Sequence, residues 1–244
     1  MNDKWHEIWE KRNTDSNILF EEGDVQKIFL ELKRINGWDS MDNKLSYEQF
    51  YGQYIQIKNE LEFNSKISDN VVKSIFEIGC GAGANLYLFE SEGIHVGGID
   101  YSRTLIEIAK TILNSPIELL CDEAVNVPVD ITYDAILSNS VFSYFDSYKY
   151  AQKVLEAMIN KAKYSIGIID IHDFKKKEAF LEFRKSIVKD YEERYRDLPK
   201  FFYDKEFFLK FAEEHNMNIR FSISDMDGYW NNDFVFNCYM TKNY

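Results

Sequence analysis

The stretch from Ser74 to Glu92, SIFEIGCGAGANLYLFESE, constrains this chain more than any other. The chain has only eleven glycines in 244 residues, yet Gly79, Gly81 and Gly83 fall on alternate positions straight after a short apolar run. Glycine inside a helix or strand costs roughly 0.5–1 kcal/mol against alanine. This spacing therefore marks a backbone that must stay bare. A strand, a bare turn and a helix start make a corner where outward-pointing amides meet an anion or a nucleotide.

Downstream of that corner, strands and helices alternate. SIFEIG, HVGGID, IELLC, YDAILS and YSIGIIDI read as strands. NLYLFESEG reads as a helix closed by Gly93. Ser102 caps a helix with Leu105, Ile108, Ala109 and Ile112 on one face. AQKVLEAMINKAK buries Val154, Leu155, Met158 and Ile159. Such alternation predicts an α/β fold with a mostly parallel sheet covered on both faces and right-handed crossovers. After Asp173 comes a polar helical insertion to about Tyr203, then the helix KEFFLKFAEEHN and two strands, NIRFSIS and DFVFNCYM, joined by a turn containing DGYWNN. The last two strands are expected to pair antiparallel.

The first seventy residues hold no strand-like run and read as helical. Asp24 caps a helix bearing Val25, Ile28, Phe29 and Leu32, and Gly37 lies past its end. Ser46 and Gln49 form a capping box with Leu45 and Phe50 as its staple. The expected organisation is a helical cap over residues 1–70 and a core over 71–244, with a helical lid inserted at about 174–203.

Charge narrows the ligand. The net charge is −12, the opposite of what phosphate-neutralising nucleic-acid binders carry. The only compact basic run, Lys175 to Lys177, sits in a mixed-charge helix face. A small-molecule partner is expected, with no nucleic acid and no membrane. Cys80, Cys121 and Cys238 are far apart and make neither a disulfide framework nor a metal site, so no metal is expected. The charged N-terminus has no apolar signal core, and a cytoplasmic setting fits best.

Two cofactor patterns match the corner. Gly79 to Ala84 satisfies the dinucleotide pattern G-x-G-x-x-[GA], and Glu77 to Gly83 satisfies E-x-G-x-G-x-G of S-adenosylmethionine sites. Glu77 favours the second, because an acid there suits a cationic amino-acid portion. Asp100, ending the second strand in GGIDYS beside Tyr101 and Ser102, is placed for ribose hydroxyls in both classes. Asp122, Glu123 and Ala124 end the third strand, where an acid meets an adenine amino group. Ser138, Asn139 and Ser140 end the fourth, at the carboxyl edge where open α/β sheets hold their ligands. Cys80 and Asn85 complete the expected cofactor set on the corner itself.

FEIGCGAGANLYLFESEGIHVGGIDYS followed by YDAILSNSVFSYF resembles the core of a class I S-adenosylmethionine-dependent methyltransferase over residues 70–172. The resemblance implies a Rossmann-like seven-stranded sheet whose last strand is antiparallel, S-adenosyl-L-methionine as cofactor, glycines against its methionine portion and Asp100 on its ribose. W-x-x-I-W-x-K-R, from Trp5 to Arg12, and SNSVF further resemble small bacterial methyltransferases associated with surface-polysaccharide genes. Many of those carry histidine where this chain has Ser143, so no catalytic role is carried over to that position.

Methyl transfer from a sulfonium needs alignment, exclusion of water and sometimes a base. His172 and Asp170, ending the fifth strand in GIIDIHD, are the catalytic candidates. Arg12 is a candidate for the cofactor carboxylate. Tyr51, Tyr54, Phe142, Tyr144, Arg184 and Tyr203 are candidates for the acceptor, although aromatics in such places also serve as core. The reading is methyl transfer to a small polar acceptor, preferably at oxygen and nucleotide- or sugar-linked, with nitrogen left open by Asn139. A nicotinamide-dependent oxidoreductase and a non-catalytic cofactor-binding module are the rival readings.

Overall fold

The computed structural model describes residues 3–13, 24–38, 45–63, 72–224 and 226–243. Helix α1 (Asp3–Glu10), α2 (Val25–Lys33) with a following π-helical turn (Arg34–Trp38), and α3 (Tyr47–Glu60) precede the sheet. Next come β1 (Ser74–Ile78), α4 (Ala84–Ser91), β2 (His95–Asp100), α5 (Arg103–Ile112), β3 (Glu118–Cys121), β4 (Tyr133–Asn139), α6 (Tyr148–Lys161) and β5 (Ala162–His172). The chain ends with α7 (Lys177–Ile187), α8 (Tyr191–Arg194), α9 (Lys205–Glu214), β6 (Met217–Ser222) and β7 (Val235–Lys242).

Local chemistry sets these boundaries. The Asp24 side chain accepts from Lys27 N, Ser102 from Leu105 N, and Ser46 and Gln49 close a reciprocal capping box. Gly37 (φ 94°) breaks the turn after α2, and Gly93 (φ 78°) ends the run after α4.

The seven strands lie in the order β3-β2-β1-β4-β5-β7-β6. β1 to β5 pair in parallel, and β7 runs antiparallel to both β5 and β6. β1 is buried along its whole length, as a central strand with two covered faces must be. One face packs Ile75, Ala135 and Leu137 against α2, α3, α4 and α5. The other packs Phe76, Ile136, Ile166 and Ile168 against α6 and α9.

Two expectations change here. α3 is not a cap set apart from the core; it forms a layer of it, with Phe50, Tyr54 and Ile57 buried. The connection from β6 to β7 is no simple turn, since residues 223–234 carry buried Met226, Tyr229 and Asn231.

The insertion after β5 closes at its own base. Tyr203 N donates to His172 O, Phe174 N donates to Tyr203 O, and Phe180, Phe202 and Phe234 form a small separate core above. Among the described residues no helix is long and apolar enough to cross a membrane.

Candidate active site

The carboxyl ends of β1, β2, β4 and β5 converge with the Arg34–Trp38 turn and the β6–β7 connection. At the glycine corner, Gly79 N donates to Ile99 O, Gly81 N donates to Asp100 Oδ2, and Ala82 N donates to Asn36 Oδ1. Gly79 and Gly81 have left-handed backbone, at φ 73° and 55°. A Cβ on Gly79 would strike Val141, and one on Gly81 would strike Asn36. The bare backbone is therefore demanded first by protein neighbours, not by a ligand alone as the sequence suggested.

Asp100 is buried and accepts from two amides, Gly81 N on Oδ2 and Ser102 N on Oδ1, both at 2.9 Å. Burial pushes its carboxyl up to about 6 while those amides pull it back. Glu77 Oε1 accepts from Asn85 Nδ2 at 2.6 Å, and Asn85 Oδ1 accepts from Lys33 Nζ at 2.9 Å. Burial drives Glu77 up to about 8 and Lys33 down to about 8, each opposed by the other's charge. Glu77 Oε2 is buried without a hydrogen-bond partner. An acid with a spare oxygen beside a buried ammonium fits the amino and carboxylate groups of an amino-acid moiety.

Lys33, Asn36 and Trp38 line this pocket, and the sequence reading missed all three. A signal existed: Lys33 stands four residues after Phe29 and Asn36 four after Leu32, so both continue the apolar stripe of α2.

Among the expected cofactor residues, Glu77, Gly79, Gly81, Asn85 and Asp100 line the pocket. So do Tyr101, Asp122, Ala124, Asn139 and Ser140. The others do not. Cys80 and Gly83 are packed behind the corner, and Ser138 is enclosed within β4. Ser102 is used as a helix cap, and Glu123 accepts from Tyr150 OH.

A second cavity of about 420 Å³ adjoins the first and shares Trp9, Asn36, Trp38, Ser140 and Tyr144 with it. Arg12 lines this second cavity, its guanidinium 5.3 Å from the Trp9 ring, and not the cofactor pocket where it was expected. Tyr144 and Arg184 line it too. Phe142 and Tyr203 do not: both are fully buried, and Tyr203 OH donates to Phe142 O. Tyr54 is core against Phe89, and Tyr51 stacks on Tyr47, away from either cavity.

Asp170 and His172 both line the second cavity, each with hydrogen-bond partners of its own. Asp170 Oδ2 accepts from Ser140 Oγ at 2.8 Å and from Tyr229 OH at 3.0 Å, and Oδ1 has no partner. Burial raises this carboxyl above its ordinary value. His172 lies between Phe180 and Phe202, with Nε2 3.4 Å from Asn231 Nδ2. Burial, with Lys200 and Arg184 nearby, pushes the imidazole well below its ordinary value, which weakens it as a base. Tyr229 and Asn231, again missed, come from the long β6–β7 connection.

A family model described as a methyltransferase domain matches residues 75–163. The malonyl-[acyl-carrier protein] O-methyltransferase of Bacillus anthracis is 27% identical over 112 residues, and that of Priestia megaterium 31% over 98. Those stretches take in 41% and 38% of this chain but only 40% and 34% of the relatives' own lengths. The plantazolicin methyltransferase BamL, solved with a triazolic desmethylPZN analog and SAH, matches at TM-score 0.63 and 17% identity over 100% of both chains. Sheet order, glycine corner and these likenesses together define a class I S-adenosylmethionine-dependent methyltransferase. The family match itself spans residues 75–163, and the wider chain shares that class's fold.

Proposed function

We propose that the protein is a cytoplasmic enzyme that transfers a methyl group from S-adenosylmethionine to an oxygen of a small polar acceptor. A nucleotide- or sugar-linked metabolite of surface-polysaccharide modification is the kind of acceptor in view. The curated relatives' names specify O-methylation of malonyl-[acyl-carrier protein], which supports oxygen without naming this chain's acceptor.

In this reading Glu77 takes the cofactor's ammonium, and Lys33 with Asn85 meets its carboxylate. Asp100 takes the ribose hydroxyls, and Asp122 lies toward the adenine. When bound, the cofactor supplies an electrophilic methyl on a sulfonium. The chain's own work is to seat the acceptor oxygen in line, exclude water and accept a proton. Trp9, Trp38 and Tyr144 wall the junction of the two cavities. Asp170 takes the proton on Oδ1, while Ser140 and Tyr229 hold its other oxygen.

One observation carries the assignment. Asp170 is a buried carboxylate of raised basicity with an unpartnered oxygen, bonded to Ser140, which lines both cavities. Calorimetric titration with S-adenosylhomocysteine, and with NAD and NADP in parallel, tests the cofactor. Saturable binding of S-adenosylhomocysteine alone is expected; binding of a dinucleotide alone overturns the reading. With an acceptor found by labelled-methyl screening, Asp170→Asn should lower turnover about 10²–10⁴-fold while S-adenosylhomocysteine affinity stays within about twofold.

A further inference from the structure

The second cavity inverts the charge of the chain. The protein carries a net −12, yet the described residues lining this cavity include Arg12, Arg184, Arg194 and Lys200 against one carboxylate, Asp170. Asp170 is already hydrogen-bonded by Ser140 and Tyr229. Of these, Arg184 is buried, Arg12 and Lys200 are half-buried, and Arg194 is exposed.

Lys200 is the sharpest case. Its Nζ lies 3.2 Å from the Tyr144 ring centroid and 4.7 Å from that of Trp5, and its hydrogen bond goes to Ser143 Oγ at 3.3 Å. No carboxylate pairs with it among the described residues. Desolvation and the Arg184 guanidinium push its ammonium well below the ordinary lysine value, so an anion beside it would stabilise the charged form. Arg184 is buried, 4.9 Å from the Trp230 ring, and donates to Tyr195 OH. The aromatic plates partly offset each cation's desolvation and leave flat apolar walls between them.

We propose that this cavity takes an anionic acceptor, a carboxylate or phosphate on a planar or apolar body, whose anion is held by Lys200 and Arg184. The volume of about 420 Å³ suits a ligand of metabolite size. The inference rests on the methyl-transfer reading for which end reacts. The anion site itself stands apart from that reading.

The test titrates the full chain, with and without saturating S-adenosylhomocysteine, using phenyl phosphate, benzoate, benzyl alcohol and benzylammonium. At least one aryl anion should bind saturably below about 10 mM and at least tenfold more tightly than benzyl alcohol, with benzylammonium weaker still. The tighter anion tells phosphate from carboxylate. Lys200→Met should weaken anion binding at least tenfold, and Lys200→Arg should restore it to within about threefold, because charge and not packing is what the site supplies. Both variants should bind S-adenosylhomocysteine as the wild type does. Anion binding absent up to about 10 mM, a neutral or cationic probe binding as tightly, or Lys200→Met leaving anion affinity unchanged each overturns the proposal. If Lys200→Met fails to fold, the wild-type order of the four probes and the arginine variant decide. Loss of S-adenosylhomocysteine binding with anion binding intact would sink the methyltransferase reading and leave the anion site standing.

Discussion

Ser140 donates its hydroxyl to Asp170 across neighbouring strand ends, Oγ to Oδ2 at 2.8 Å, and both residues stand in left-handed backbone at φ 61° and 58°. Side chains in that region carry a strain of about 1–3 kcal/mol each. Here the strain turns two strand ends toward one carboxylate. Ser140→Gly relieves the backbone and loses the hydrogen bond, so its stability to urea should stay within about 1 kcal/mol of wild type. Ser140→Val keeps the strained φ and adds a branched Cβ, and should cost about 2 kcal/mol or more. A valine variant as stable as wild type would show that the backbone is not strained there.

The glycine corner and the N-terminal segment are held by one another at Gly81 and Asn36. Gly81→Ala places a methyl group against the Asn36 side chain in a backbone region that alanine disfavours. It should lose about 1–3 kcal/mol of stability and at least tenfold in S-adenosylhomocysteine affinity. Asn36→Ala makes room for the methyl but orphans Ala82 N–H. The double variant should therefore be less damaged than the two single losses added together, as a thermal and calorimetric double-mutant cycle would read. Strict additivity would mean that the two residues do not meet.

Glu77 and Lys33 give stability a pH signature. Glu77 is raised from 4.5 to about 8, so between those values the unfolded chain has released a proton that the native protein keeps. Unfolding free energy then falls as pH rises through this window, by at most about 1.4 kcal/mol per unit. Lys33 is lowered from 10.5 to about 8, and its contribution has the opposite sign, rising above pH 8. The stability of wild type minus that of Glu77→Gln, from urea unfolding without ligand, should shrink from about pH 5 to 8. A difference that stays constant over that range would refute burial of Glu77 in its neutral form.

Local chemistry in the sequence determined the alternation of strands and helices, the caps at Asp24, Ser46 and Ser102, and the bare corner with Glu77 before it and Asp100 beyond. These rest on contacts within a few residues or on the fixed period of a strand or helix, so the chain's own order displays them. Tertiary structure decided the rest. Lys33, Asn36 and Trp38 reach the corner from some forty to fifty residues upstream, and Tyr229 and Asn231 reach Asp170 and His172 from some sixty downstream. An aromatic side chain carries the same apolar body into a core or onto a cavity wall. Tyr54, Phe142 and Tyr203 therefore could not be told from Tyr144 until packing placed the first three inside and the fourth at the junction of the cavities. His172 has an ordinary basicity in isolation. Burial between Phe180 and Phe202, with Lys200 and Arg184 close by, lowers it, and those neighbours are assembled only by the fold.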